Sequence, residues 1–149
     1  MSRRIAVRGV VVDERGRLLC VRLKAYGGRS ERTFWCLPGG GIDSNETLFD
    51  AIKREMIEET AITPVIGELL YVHQFAFEGK EQFEFFFHIT NTDDYKNIDL
   101  SAATHAEEEI AELAFADPKA IYILPEFLAT ENLTQHICDK VPAKLFSYL

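Results

Sequence analysis

Residues 40–62 read GGIDSNETLFDAIKREMIEETAI, and within them Glu55, Glu58 and Glu59 crowd three carboxylates into five positions. Leu48, Phe49, Ile52 and Met56 recur at helical spacing through the same stretch, which predicts a helix over residues 46–60. At about 100° per residue, the three carboxylates fall within an arc of roughly 100°, beside the apolar stripe and not opposite it. Like charges one turn apart repel. A divalent cation would turn that repulsion into binding. The alternative from the cluster alone is a solvated acidic face, in which Arg54–Glu58 forms an (i, i+4) pair.

The surrounding spacing is more specific. Gly40, Glu46, Arg54, Glu55, Met56, Glu58, Glu59 and Ile62 satisfy eight of the nine specified positions of GX5EX7REUXEEXGU, where U is a bulky aliphatic residue. At a typical abundance of about 6% per residue type, chance agreement is on the order of one in a hundred million. On these residues, and on the preceding Trp35-Cys36-Leu37-Pro38-Gly39-Gly40-Gly41, the chain resembles the Nudix hydrolase family. The likeness in layout covers nearly all of the chain. Two positions depart from the pattern. Ala61 replaces the last glycine, where a left-handed residue would end the helix, although Thr63-Pro64 still encodes termination. Asn45 replaces a frequent glycine, and asparagine either tolerates a left-handed backbone or caps a helix.

The resemblance implies an α/β/α sandwich with a curved mixed sheet. It also implies hydrolysis of a pyrophosphate bond in a nucleoside diphosphate linked to another group. By matching positions, Glu58 and Glu59 are metal ligands, Glu55 is a ligand or base, and the Gly40 carbonyl is a further ligand. Glu109, in the Glu107-Glu108-Glu109 run, is the candidate for a glutamate outside the motif; a solvated acidic turn is the alternative there. Arg54 and Glu46 are supports that orient the carboxylates. Oxygen ligands without nearby histidine or thiol select Mg²⁺ or Mn²⁺ over zinc. A non-catalytic nucleotide-sensing module is the other functional class. Homodimers are common in the family.

The glycine run 39–41 lacks the Gly-Lys-Ser/Thr of a phosphate-binding loop, so it would serve close approach of the backbone to the site. Arg22, Lys24 and Gly41 are the candidate substrate contacts. Arg22 and Lys24, with Arg29 and Arg32, supply positive charge ahead of the motif or form a solvated loop. Phe83, Phe85 and Phe87 alternate with Glu84 and Phe86, which reads as packing on both faces of a strand, with one ring free to stack on a base. Trp35 reads as core or as a base clamp. The four histidines share no ligand spacing.

With 149 residues and 47% hydrophobic content, the chain reads as a single domain, residues 1–149, with a proper core. A net charge of −8 argues against stable nucleic-acid or membrane partners and leaves a small nucleotide as the partner, reached through metal ions and a local basic patch. Cys20, Cys36 and Cys138 follow no ligand spacing and read as free buried thiols of a cytoplasmic protein. No signal-like apolar run precedes Asp13.

Strands are expected over residues 5–12 and 17–24, joined as a hairpin by Asp13-Glu14-Arg15-Gly16. Further strands are expected at 34–37, at 65–77 and 82–90 around a Glu78-Gly79-Lys80 turn, and at 110–115. A polar surface loop is expected over 91–101 and a helix over 125–139.

Overall fold

The structure is a computed structural model that describes residues 3–24, 32–98 and 110–149. A mixed five-stranded sheet has the order β3-β1-β5-β4-β7, built from β1 (Arg3–Val10), β3 (Gly39–Gly41), β4 (Ile66–Phe77), β5 (Lys80–Ile89) and β7 (Lys144–Tyr148). A second sheet pairs β2 (Leu18–Leu23) with β6 (Ile110–Ala116) in antiparallel fashion. The helices are α1 (Leu48–Thr60), α2 (Phe127–Thr130) and α3 (Leu133–Cys138). Among the described residues no helix is long and apolar enough to cross a membrane.

Side chains on successive strand residues point to opposite faces, and β5 supplies the two larger cores, a third small one lying between Val21, Cys36 and Ile110. Phe87 and Ile89 pack with Val7, Ala51, Ile52 and Met56 beneath α1. Phe86 packs on the other face with Val10, Tyr71, Phe127, Leu128 and Leu133, the last three carried by α2 and α3. The result is the expected layering, with helices on both faces of a mixed sheet.

Several local expectations are corrected. The Asp13–Gly16 turn forms: Asp13 Oδ1 accepts from the N–H groups of Arg15 and Arg17, both at 2.9 Å. The first rungs of the hairpin pair, Val12 with Leu18 and Leu19 N–H to Val11 O at 3.0 Å, but beyond them β1 and β2 enter different sheets, because both edges of β1 are taken, by β3 and by β5. Residues 34–37 make only isolated bridges, Cys36 to Val21 and Trp35 to Ile123, whereas the glycine run 39–41 is itself a strand. The helix expected over 125–139 is broken in two where Glu131 is extended and the Asn132 side chain accepts from Gln135 N–H, a local cap that starts a new helix. Strand β7 was not expected: it is short and mostly exposed, so it carries no alternating signature. The segment after Ile89 contains a 3₁₀ turn, Thr92–Tyr95, whose Tyr95 is buried. Cys20 and Cys36 are buried as expected, but Cys138 is exposed. The β4–β5 hairpin does form as read, with positive φ at both Glu78 and Gly79, the twist a two-residue turn requires.

Helix α1 starts at Leu48, the first residue of the apolar stripe and two residues later than the expected residue 46. Thr47 is its N-cap and accepts from Asp50 N–H at 3.0 Å, while Asn45 sits at φ 65° in the left-handed region. At the other end Ala61 takes the left-handed conformation itself, φ 63°, with its N–H donating to Ile57 O at 2.8 Å. Thr60 supports this exit: its hydroxyl donates to Met56 O and accepts from Ile62 N–H. A left-handed L-residue costs about 1–2 kcal/mol, and the extra backbone entropy of glycine returns roughly 0.5–1 kcal/mol of that. Ala61→Gly is therefore expected to raise stability by about 0.5–1 kcal/mol in urea unfolding; an unchanged or lower midpoint would contradict a strained exit.

Candidate active site

One guanidinium organises the acidic face of α1. Arg54 grips Glu46 with two prongs, Nε to Oε2 at 2.8 Å and Nη2 to Oε1 at 3.0 Å. Its Nη1 donates to Glu55 Oε1 at 3.0 Å and to Glu58 Oε2 at 3.3 Å, and Nη2 also reaches Gly41 O at 3.1 Å. Charge-assisted bonds of this kind are short and strong. Their electrostatic consequences follow. The Arg54 hydrogen bonds, with a further one from Asp43 N–H, hold Glu46 down at about 2. The same carboxylates raise Arg54. Glu55 shifts the other way: burial raises its pKa, Arg54 opposes, and neighbouring Glu58 adds to the rise.

The third carboxylate, Glu59, is buried, and its Oε2 accepts from Gly39 N–H at 2.8 Å. Helix and glycine strand are in intimate contact here. A Cβ on Gly40 would lie 2.7 Å from Glu55 Oε1, and one on Gly39, at φ 144°, would lie 1.9 Å from Val7 O. At Gly39 no side chain fits against the Val7 carbonyl, whereas at Gly40 a side chain would displace the Glu55 carboxylate from its place.

Of the expected substrate contacts, Gly41 borders a shallow depression with Arg4, Asp43 and Glu46. Arg22 instead pairs with Glu112 across the small sheet, at 2.6 Å, and neither it nor Lys24 lines the main cleft among the described residues. Residues 107–109, including Glu109, and Arg29 lie outside the described residues.

The main cleft, about 750 Å³, opens on the sheet face opposite α1. Its floor carries Arg4 and Arg8 from β1, Gln82 and Glu84 from β5, and His73 and Phe75 from β4. One wall is the 32–36 segment, tied to residues 122–124 by Trp35 N–H to Tyr122 O and Leu124 N–H to Trp35 O. In the floor, Arg8 Nε donates to Glu84 Oε2 at 2.9 Å and Nη1 to Leu37 O at 3.2 Å, while His73 Nδ1 lies 3.2 Å from Glu84 Oε1. Burial would raise Glu84, but Arg8 and His73 overcome it and hold the carboxyl at about 2. Sequence reasoning missed this group. Its signal was available as charged residues at alternate positions in apolar strands, Arg4-x-Ala6-x-Arg8 and Gln82-x-Glu84-x-Phe86.

Residues 2–136 match the NUDIX domain family. The chain belongs to this family. It is 40% identical over 70 residues to a MutT-like protein of Streptomyces ambofaciens, covering 47% of this chain and 42% of that protein. It is 47% identical over 49 residues to an RNA pyrophosphohydrolase of Histophilus somni, covering 33% of this chain and 23% of that protein. The chain thus spans less than half the length of these curated relatives. The solution structure of the E. coli ORF135 protein shares the fold, with a TM-score of 0.69 at 17% identity over 95% of this chain and 96% of that one.

Members of this family generally use divalent metals. Among the described residues, no three carboxylate, imidazole or thiolate groups converge into a ready-made cage. The donor set still fits a hard cation, because Mg²⁺ keeps several waters and needs only one or two carboxylates besides substrate phosphates.

The Glu84 network gives a pH test. Its folded value, about 2, lies below the ordinary 4.5, so its stabilisation is complete above about pH 4.5 and is lost as pH falls towards 2. Glu84→Gln should lower stability by about 3 kcal/mol at neutral pH. That deficit should shrink when both proteins are unfolded at about pH 3; a deficit independent of pH would contradict the assignment.

Proposed function

We propose that this chain is a Mg²⁺- or Mn²⁺-dependent pyrophosphohydrolase acting on a nucleoside diphosphate linked to another group. The observation that carries this reading is the convergence of Glu55 and Glu58 on one guanidinium, with Glu59 fixed beside them on the glycine strand. The names of relatives, an RNA pyrophosphohydrolase among them, support the same reaction class.

In this reading Glu58 and Glu59 hold the metal, together with the Gly40 carbonyl and Glu109. When bound, the ion would neutralise charge on phosphoryl oxygens and lower the pKa of an attacking water. Glu55 is a further ligand or the base that would take the proton from that water, a role its burial-raised pKa supports. Arg54 keeps Glu55 and Glu58 from swinging apart before substrate arrives, with Glu46 as its anchor. Glu84 is unsuited to the base role, because both its oxygens are engaged by Arg8 and His73. Free cysteines fit a reducing compartment such as the cytoplasm.

The test is a panel of nucleotide sugars, ADP-ribose, dinucleoside polyphosphates and nucleoside triphosphates, assayed for hydrolysis with and without Mg²⁺ and Mn²⁺. Glu58→Gln and Glu59→Gln should each lower kcat by about 10²- to 10⁴-fold while the circular dichroism spectrum stays unchanged. Near wild-type turnover in both variants at saturating metal would overturn the assignment. Binding without cleavage anywhere in the panel would favour the sensing module.

A further inference from the structure

Three side-chain donors meet where β1 and β5 begin, and the fold uses almost none of their capacity. Arg4 lies opposite Gln82 in the β1–β5 register, and Lys80 opens β5 two residues earlier. Side chains two residues apart on a strand share a face, so Arg4 and Lys80 are diagonal neighbours around Gln82, with Cα atoms about 8 Å apart. Gln82 is 9% exposed. Its Oε1 accepts from Arg4 Nη1 at 3.5 Å, the one hydrogen bond its side chain makes among the described residues. The Nε2 amide, which carries two N–H donors, is left over. It is not one of the sealed side-chain atoms of the interior, and it opens where Gln82 lines the cleft.

The two cations beside it have no counter-ion. Arg3, Arg8, Arg17, Arg22 and Arg54 all have carboxylate partners, whereas Arg4 and Lys80 pair with none among the described residues. The nearby carboxylates are engaged elsewhere. Glu84, next along β5 on the same face, gives both oxygens to Arg8 and His73. Asp43 and Glu46 pair with Arg54. Arg4 and Lys80 border both the cleft and the depression beside the glycine strand, so they form the ridge between the two. That ridge is close to the acidic helix. A Cβ on Gly41 would lie 3.7 Å from Arg4 Nε, Arg54 donates to the Gly41 carbonyl at 3.1 Å, and Arg4 lies within electrostatic reach of Glu55.

We propose that Arg4, Lys80 and the Gln82 amide form an anion site for a phosphate that the substrate carries in addition to the two joined by the bond that is cleaved. The chain then prefers a nucleoside diphosphate whose other group is itself a phosphate to one whose other group is a sugar. This deepens the pyrophosphohydrolase reading and rests on it for the identity of the reaction. Two charged donors and one neutral donor suit the oxygens of a terminal phosphate, which accept charge-assisted hydrogen bonds. A sugar in the same place offers only hydroxyls and leaves both cations without a counter-ion.

The experiment has two arms, both on the whole chain. In the first, the metal-free protein is titrated calorimetrically with inorganic tripolyphosphate. Saturable binding is expected, weakened about tenfold by Arg4→Met and by Lys80→Met and about fivefold by Gln82→Met. The glutamine variant separates a built site from a diffuse positive field, which is indifferent to an uncharged side chain. No saturable binding, or binding that Gln82→Met leaves untouched, overturns the proposal. Should Gln82→Met not fold, the side-chain amide resonances of Gln82 in the wild-type protein decide: they should shift on adding tripolyphosphate, and unmoved resonances overturn the site. In the second arm, a nucleoside triphosphate and a hexose-linked nucleoside diphosphate of the same base are hydrolysed with Mg²⁺. The triphosphate should be favoured by about tenfold or more in kcat/KM, and Arg4→Met and Lys80→Met should each cut that preference about tenfold through KM. Equal kcat/KM for the two substrates, or a preference that survives both substitutions, overturns the proposal. Because the first arm needs no turnover, a chain that binds tripolyphosphate through these residues but hydrolyses neither substrate would fail the catalytic reading alone. One that hydrolyses both without preference would fail this inference alone.

Discussion

The site depends on the guanidinium of Arg54. Three carboxylates on one side of a short helix are an electrostatic liability, and a protein must tolerate that liability before any cation arrives. Arg54 does this by bridging Glu46, Glu55 and Glu58 while tying the helix to Gly41 O. Glu59 is handled separately, by a backbone N–H from Gly39. The two devices differ: Arg54 shares its charge among the half-buried carboxylates, while the deeply buried Glu59 takes a backbone N–H and lies within electrostatic reach of Arg8. Gly40 lets the Glu55 carboxylate lie against the glycine strand, and Gly39 lets that strand lie against the Val7 carbonyl of β1. The arginine, the two glycines and the acidic triplet therefore form a single mechanical unit.

The rest of the sheet serves that unit from behind. Around Phe85–Phe87 strand β5 is apolar on both faces, so α1 is clamped on one side by Phe87 and Ile89 while Phe86 anchors α2 and α3 on the other. Where the second core ends, the same face continues as an open cleft with a buried ion pair in its floor. A buried pair is seldom a net source of stability, since desolvation consumes most of the Coulombic gain. Its value here lies in orientation: Glu84 fixes Arg8 against the Leu37 carbonyl and holds the His73 ring at 3.2 Å. Arg8 and Arg4 also lie within electrostatic reach of Glu59 and Glu55 respectively.

What was legible in the sequence follows from the range of the interactions. The helix, its stripe and its termination are short-range and periodic, so residues 40–62 could be read with a boundary error of two residues. The Glu78-Gly79 hairpin is equally local. Long-range facts were not readable in the same way. The Asp13–Gly16 turn formed, but its strands parted because β3 and β5 compete for β1, and no local pattern records that competition. Strand β7 exists only because β4 offers it an edge. The cleft escaped notice for the same reason: Arg8, His73 and Glu84 are separated by 65 and 11 residues in the chain, and only the β1–β5–β4 register brings them together. Arg22 had the right charge in the right neighbourhood, yet the β2–β6 register places Glu112 opposite it. Charge near a motif is therefore a weaker guide than charge on a face shared with it.

The arginine-held carboxylates of α1 are expected to form a site for a hard divalent cation. This is tested most directly by titrating Mn²⁺ into the nucleotide-free protein and following the free-ion signal by electron paramagnetic resonance. Saturable binding should appear in the wild type, be weakened in Glu58→Gln and Glu59→Gln, and be competed by Mg²⁺. Binding that is absent from the wild type, or undiminished in both variants, would contradict the account.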